Sequence, residues 1–93
     1  MTLRDREKAA ASELEALDVM VSRPGEGSPE SDLFNQWGIC VGSHGGYAKT
    51  LKAAMRRCLK CCDIGKFWRT QYGKGELLSI FFKRVAKKHL GGL

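Results

Sequence analysis

The chain has 93 residues and a net charge of +6, which accommodates one small domain with a thin core and an appended segment. Its apolar content of 43%, with two tryptophans, two tyrosines and four phenylalanines, excludes wholesale disorder, because enough surface can be buried to oppose chain entropy. No run approaches the ~18 apolar residues of a membrane span, and the N-terminus lacks the apolar stretch of a secretory leader. A cytoplasmic protein is expected, with its four cysteines reduced and read as thiols or metal ligands before disulfides.

The charge is unevenly placed. Residues 1–32 hold four basic side chains against eight acidic ones, a net −4, whereas residues 33–93 hold twelve basic ones against Asp63 and Glu76 alone, a net +10. Such a concentration attracts phosphate polymers or acidic protein surfaces.

In chain order, Thr2 and Asp5 form a capping-box variant, and Leu3, Ala10, Leu14, Leu17 and Val21 recur at helical spacing. The spacing predicts an acidic amphipathic helix over residues 1–21. Its seam over 10–21 is narrow enough either to dock on the rest of the chain or to mediate dimerisation. Residues 22–32, rich in Ser, Pro, Gly and Glu, read as a flexible linker. Asp32 then caps a short helix over 33–40 carrying Leu33, Phe34 and Trp37, which the glycines around His44 break.

The strongest pattern lies between Tyr47 and Cys62. At 100° per residue, Tyr47, Leu51, Ala54, Met55, Cys58, Leu59 and Cys62 share one arc, while Lys49, Lys52, Arg56, Arg57 and Lys60 share the other. A short helix over 66–72 follows. A last helix over 76–90 places Leu77, Leu78, Phe81, Phe82, Val85 and Ala86 inward, and Lys83, Arg84 and Lys87 outward. Gly91 and Gly92 stop it. With no convincing strand alternation, the expected fold is all-α: a bundle of three to four short helices over 33–93, with the N-terminal helix appended on its linker.

Two constellations carry chemistry. Lys49, Lys52, Arg56, Arg57 and Lys60 form a basic ridge, extended by Arg69, Lys74, Lys83, Arg84, Lys87 and Lys88 if the helices lie side by side. An ordinary solvated face would be balanced by acids, and residues 47–62 contain none. Trp37, Trp68 and Tyr72 are candidates for base stacking, although large aromatics in so small a domain usually fill the core. The second constellation, Cys40, His44, Cys58 and either Cys61 or Cys62, offers the donor types of a tetrahedral zinc site. Its spacing fits no standard finger, and cysteines on an apolar arc usually pack as small hydrophobes. Catalysis is not expected, in the absence of a phosphate-binding glycine loop, a nucleophile elbow or paired carboxylates in the basic part.

The segment from Asp32 to Val41, Asp-Leu-Phe-Asn-Gln-Trp-Gly-Ile-Cys-Val, followed by Gly45-Gly46-Tyr47, resembles the tryptophan–glycine segment and nearby glycine–tyrosine turn of phage late-gene antitermination proteins of the Q type. Leu33, Trp37, Gly38, Gly46 and Tyr47 carry the match, over about 16 of the 93 residues. Ile39-Cys40-Val41 stands where that family tends to place a second aromatic. The resemblance implies a transcription regulator that binds DNA and loads onto RNA polymerase. The expectation is therefore a small basic regulator that binds DNA, RNA or a nucleic-acid machine and takes no small-molecule substrate. Its rival is a protein that modulates a host enzyme complex through an acidic surface.

Overall fold

A computed structural model describes residues 2–25, 29–30, 34–42, 44–60 and 77–93. Among these residues the chain runs α1 (Leu3–Ala16), β1 (Met20–Ser22), β2 (Trp37–Val41), β3 (His44–Ala48), α2 (Leu51–Leu59) and α3 (Leu78–His89), and the short helix expected over 66–72 lies outside them. The strands form one antiparallel sheet in the order β1-β2-β3. The all-α expectation is thus wrong: the fold is mixed α/β.

Each misread segment has a physical cause. Within the helix expected over 33–40, residues 34–36 form a turn and strand β2 begins at Trp37, with Trp37, Ile39 and Val41 alternating with Gly38 and Cys40. The alternation spans five residues, and the glycine in its middle contributes no side chain to the pattern. β3 is masked in the same way by Gly45 and Gly46. Tyr47 and Ala48, expected at the start of the basic helix, are the last residues of this strand, and that helix begins only at Leu51.

The N-terminal helix is shorter than its periodicity suggested. Its start is as expected, since Asp5 N donates to Thr2 Oγ1 and Thr2 N donates to the Asp5 carboxylate. It stops at Ala16 in a Schellman turn: Val19 N donates to Leu14 O and Asp18 N to Glu15 O, with Asp18 at φ +66°. Leu14 and Val19, both buried, supply the apolar contact of this motif. Val21, in helical register with Leu17, belongs to β1 and pairs with Ile39. The Pro/Gly/Ser-rich segment joins β1 to β2, with Gly25 N donating to Phe34 O at 2.7 Å.

Pairing fixes two faces of the sheet. Val21, Trp37, Ile39, Val41, His44, Gly46 and Ala48 share one, and Met20, Ser22, Gly38, Cys40, Gly45 and Tyr47 the other. The first face meets the helices. There Trp37, Ile39 and Val41 join Leu51, Ala54, Met55 and Cys58 of α2, Ala10, Ala11 and Leu14 of α1, and Leu78, Phe81, Phe82, Val85 and Ala86 of α3 in one buried cluster. Fully burying each large side chain contributes about 1.5–3 kcal/mol.

Helix α2 lies on β2 and β3 because Gly46 lets it. A Cβ on Gly46 would meet Cys58 N at 2.7 Å, Ala54 O at 2.8 Å and Arg57 Cβ at 2.8 Å. Two of these are backbone atoms with no rotamer to retreat into. Val41 pairs with His44, so the chain reverses over two residues, and Gly42 at φ +61° occupies the position such turns reserve for glycine.

Two outcomes follow for stability. Gly46→Ala forces α2 off the sheet and lowers unfolding free energy by about 2 kcal/mol, a typical overpacking cost, measured as an earlier urea midpoint. Asp18→Gly removes an L-residue from the left-handed region; after glycine's greater chain entropy is subtracted, about 0.5 kcal/mol of stabilisation remains, a rise in Tm of roughly 2–4 °C.

Candidate functional site

The cationic ridge is built on a short helix with a well-made start. Thr50 caps α2 by accepting from Ala53 N. A second free amide at the same end, Leu51 N, donates at 2.8 Å to the carboxylate of Glu7, a residue of α1 that is only 5% exposed. A buried acid satisfied by a helix N-terminus both pairs its oxygen and complements the helix dipole. It also fixes α1 against α2.

From that start the cations project in sequence. Lys49 precedes the cap and is exposed, Lys52 lies half-buried in the first turn, and Arg56, Arg57 and Lys60 are exposed at the far end. Lys52, Arg56 and Lys60 follow one another at steps of four residues, about 6 Å along the axis each. Arg57 turns toward the sheet, where its Nη1 donates to Tyr47 O at 2.7 Å on edge strand β3. The remaining guanidinium N–H groups of Arg57 are left for another acceptor.

On α3, Lys83, Arg84 and Lys87 are all exposed. The Arg84 guanidinium stands 5.4 Å from the centroid of the Phe81 ring, a cation–π contact. Lys88, in the last turn, donates to Glu13 of α1, and His89 Nε2 lies 3.2 Å from the same carboxylate oxygen. Arg69 and Lys74 fall outside the described residues.

The electrostatic pattern is sharper than the sequence suggested. Residues 44–60 and 77–93 contain no Asp or Glu. The acids of α1 are spent within the molecule: Asp5 on the capping box, Glu7 on α2, Glu13 on Lys88 and His89, and Glu15 on Arg23, whose Nη2 sits 2.6 Å away. Lys88 holds the Glu13 carboxyl below its ordinary range against the opposing effect of burial, with His89 adding to it. Arg23 does the same for Glu15, again against burial.

Of the zinc donors, the described ones, Cys40, His44 and Cys58, are not gathered into one group. Cys40 lies half-buried on the outer face of the sheet, with Sγ donating to Gly42 O at 3.3 Å, whereas Cys58 is fully buried on α2 across the opposite face. His44 opens β3 on the helix side. One ion cannot be reached by Cys40 and Cys58 together, and among the described residues no group of three His, Cys, Asp or Glu side chains is placed to hold a metal. Cys61 and Cys62 lie outside the described residues. Trp37, a stacking candidate, is only 1% exposed and belongs to the core; Trp68 and Tyr72 are not described. Tyr47, which helical periodicity had placed on the buried arc, is 42% exposed on the outer sheet face. The glycine pair before it was the available signal, since it marks a strand passing close to another backbone.

No helix among the described residues is long and apolar enough to cross a membrane. Comparison with protein-family models, curated proteins and solved structures returns no match.

The Glu13 contacts give the fold a defined acid limb. A carboxyl whose folded pKa is depressed stabilises the protein fully above its unfolded value and loses that contribution as pH falls through the folded one. Stability should therefore decline below about pH 4.5. Glu13→Gln flattens that decline in urea unfolding between pH 5 and pH 3, and an unchanged slope would show that the α1–α3 contact does not titrate.

Proposed function

We propose that this protein binds nucleic acid through the cations of α2, with those of α3 as a second contributor. One observation carries the reading: five cations at residues 49–60 stand on or beside a single short helix with no acid in its stretch of chain, while Glu7, Glu13 and Glu15 of α1 are each bound to a partner within the chain, Glu7 to the amide of Leu51 and the other two to cations outside that row. Like charges in such a row repel one another, and a row of phosphates relieves that repulsion on binding. The cations reach phosphate, so the reading is of backbone-dominated, weakly sequence-dependent contact.

A cytoplasmic regulator acting on nucleic acid or on a transcription complex is consistent with this chemistry. The resemblance to antitermination proteins contributes little to it, because Trp37, Gly38, Gly46 and Tyr47 are placed in the sheet, where packing and register account for the first three. The rival partner, an acidic protein surface, would meet the same cations and is an outcome of the test below.

Anisotropy titrations with labelled duplex and single-stranded oligonucleotides in 50 mM salt should show micromolar or tighter binding. If four of the α2 cations meet phosphates, log K on duplex falls with log salt at a slope of about −4. The double charge reversal Arg56→Glu/Lys60→Glu should weaken binding more than tenfold and reduce that slope by about two, with the helical circular dichroism preserved. Absence of binding to every oligonucleotide at tens of micromolar protein would remove nucleic acid and leave the acidic protein partner.

A further inference from the structure

Among the described residues no helix packs on the outer face of the sheet, which combines an exposed aromatic ring with the glycines Gly38 and Gly45. Across the sheet it presents two rows of side chains, Ser22–Gly38–Tyr47 and Met20–Cys40–Gly45. Tyr47 stands at one corner, 42% exposed, and Met20 stands diagonally opposite at 70%.

Tyr47 is exposed because both of its closest same-face neighbours are glycines. Across the strand pair lies Gly38, so close that a Cβ there would come within 2.6 Å of Tyr47 Cε1. Along β3 the neighbour is Gly45, whose Cβ would strike Ile39 O at 2.8 Å. The backbone thus keeps side chains off the floor beside the ring. A tyrosine on a strand of a small domain normally meets a cross-strand side chain; this one rests on the bare backbone of Gly38 and stays 42% exposed.

Charge supplies the occupant. Arg57 Nη1 is anchored on the carbonyl of Tyr47 itself, at the β3 edge, and Lys49 follows two residues beyond the ring, exposed. No acid lies in residues 33–62, which include β2, β3 and α2. An exposed aromatic flanked by cations and a low, uncharged floor suits an unpaired base with its phosphates, because stacking needs one accessible ring face and tolerates any base. A duplex, whose bases are already stacked, gains nothing from the ring.

We propose that the outer sheet face is a stacking platform for single-stranded nucleic acid, in which Tyr47 stacks on a base above the Gly38–Gly45 floor and Arg57 and Lys49 hold the adjoining phosphates. This rests on the nucleic-acid reading of α2 and adds to it a preference for unpaired strands.

The test compares a labelled 12-nucleotide oligouridylate with a 12-base-pair duplex by anisotropy at one salt concentration, for the wild type, Tyr47→Phe and Tyr47→Leu. Tyr47→Leu should weaken single-strand binding about tenfold and leave duplex binding within twofold, while Tyr47→Phe retains both. Because Tyr47→Leu also uncovers Gly38 and can reduce stability, a second measurement uses the wild type: on titration with the oligouridylate, the amide resonances of Gly38, Cys40, Gly45 and Tyr47 shift, and those of Glu7 to Leu14 do not. Equal losses on both ligands, no loss on either, or unshifted outer-face amides overturn the platform. Wild-type binding to duplex alone overturns it while leaving the α2 reading intact, and binding to neither overturns both.

Discussion

The close approach of β3 to α2 at Gly46 governs most of what is distinctive about this molecule. With no Cβ at that position, the strand backbone runs against the backbone of the helix at Ala54 and Cys58. This contact presses Ala54, Met55 and Cys58 onto Trp37, Ile39 and Val41 and closes the core. It also sets the rotation of α2: once that arc faces the sheet, Arg56 and Lys60 must face away, and Arg57 is left over the edge of β3, where it finds Tyr47 O. The cationic surface is the reverse side of the packing contact.

The acidic N-terminal helix has a corresponding structural role. α1 carries most of its negative charge on residues that end at specific partners in the same chain, among them the Glu7 contact to the start of α2 and the Glu13 contact to the end of α3. These two links tie together elements more than forty residues apart in sequence. Glu7 is the more constraining of the two, because a buried carboxylate left without its amide would carry a desolvation cost of several kcal/mol. The acids of α1 therefore help organise the basic half, and among the described residues none of their carboxylates is paired with a cation of α2.

Legibility followed the strength of the repeating signal. The basic and apolar arcs of residues 51–59 and 78–89 were readable because each covers two or more helical turns, and Leu51, Ala54, Met55, Cys58, Phe81, Phe82 and Val85 are buried as the periodicity required. The strands were not readable. β1 has three residues and continues the helical spacing of α1 through Val21, while β2 and β3 place glycine where a strand pattern would show a side chain. Cys40 and Cys58 looked like co-ligands because sequence gives donor types without saying which face of a sheet each occupies.

The sequence by itself determined the charge partition, the capping of α1, the apolar faces of α2 and α3 and the identity of the cations, since each depends only on local order and helical repeat. Tertiary structure alone decided that there is a sheet, that Trp37 is core while Tyr47 is exposed, and that Glu7 and Glu13 are bound within the molecule. Those outcomes depend on pairings such as Gly38 with Tyr47 and Leu51 with Glu7. A pairing between distant residues leaves no period in either segment, so only the folded chain reveals it.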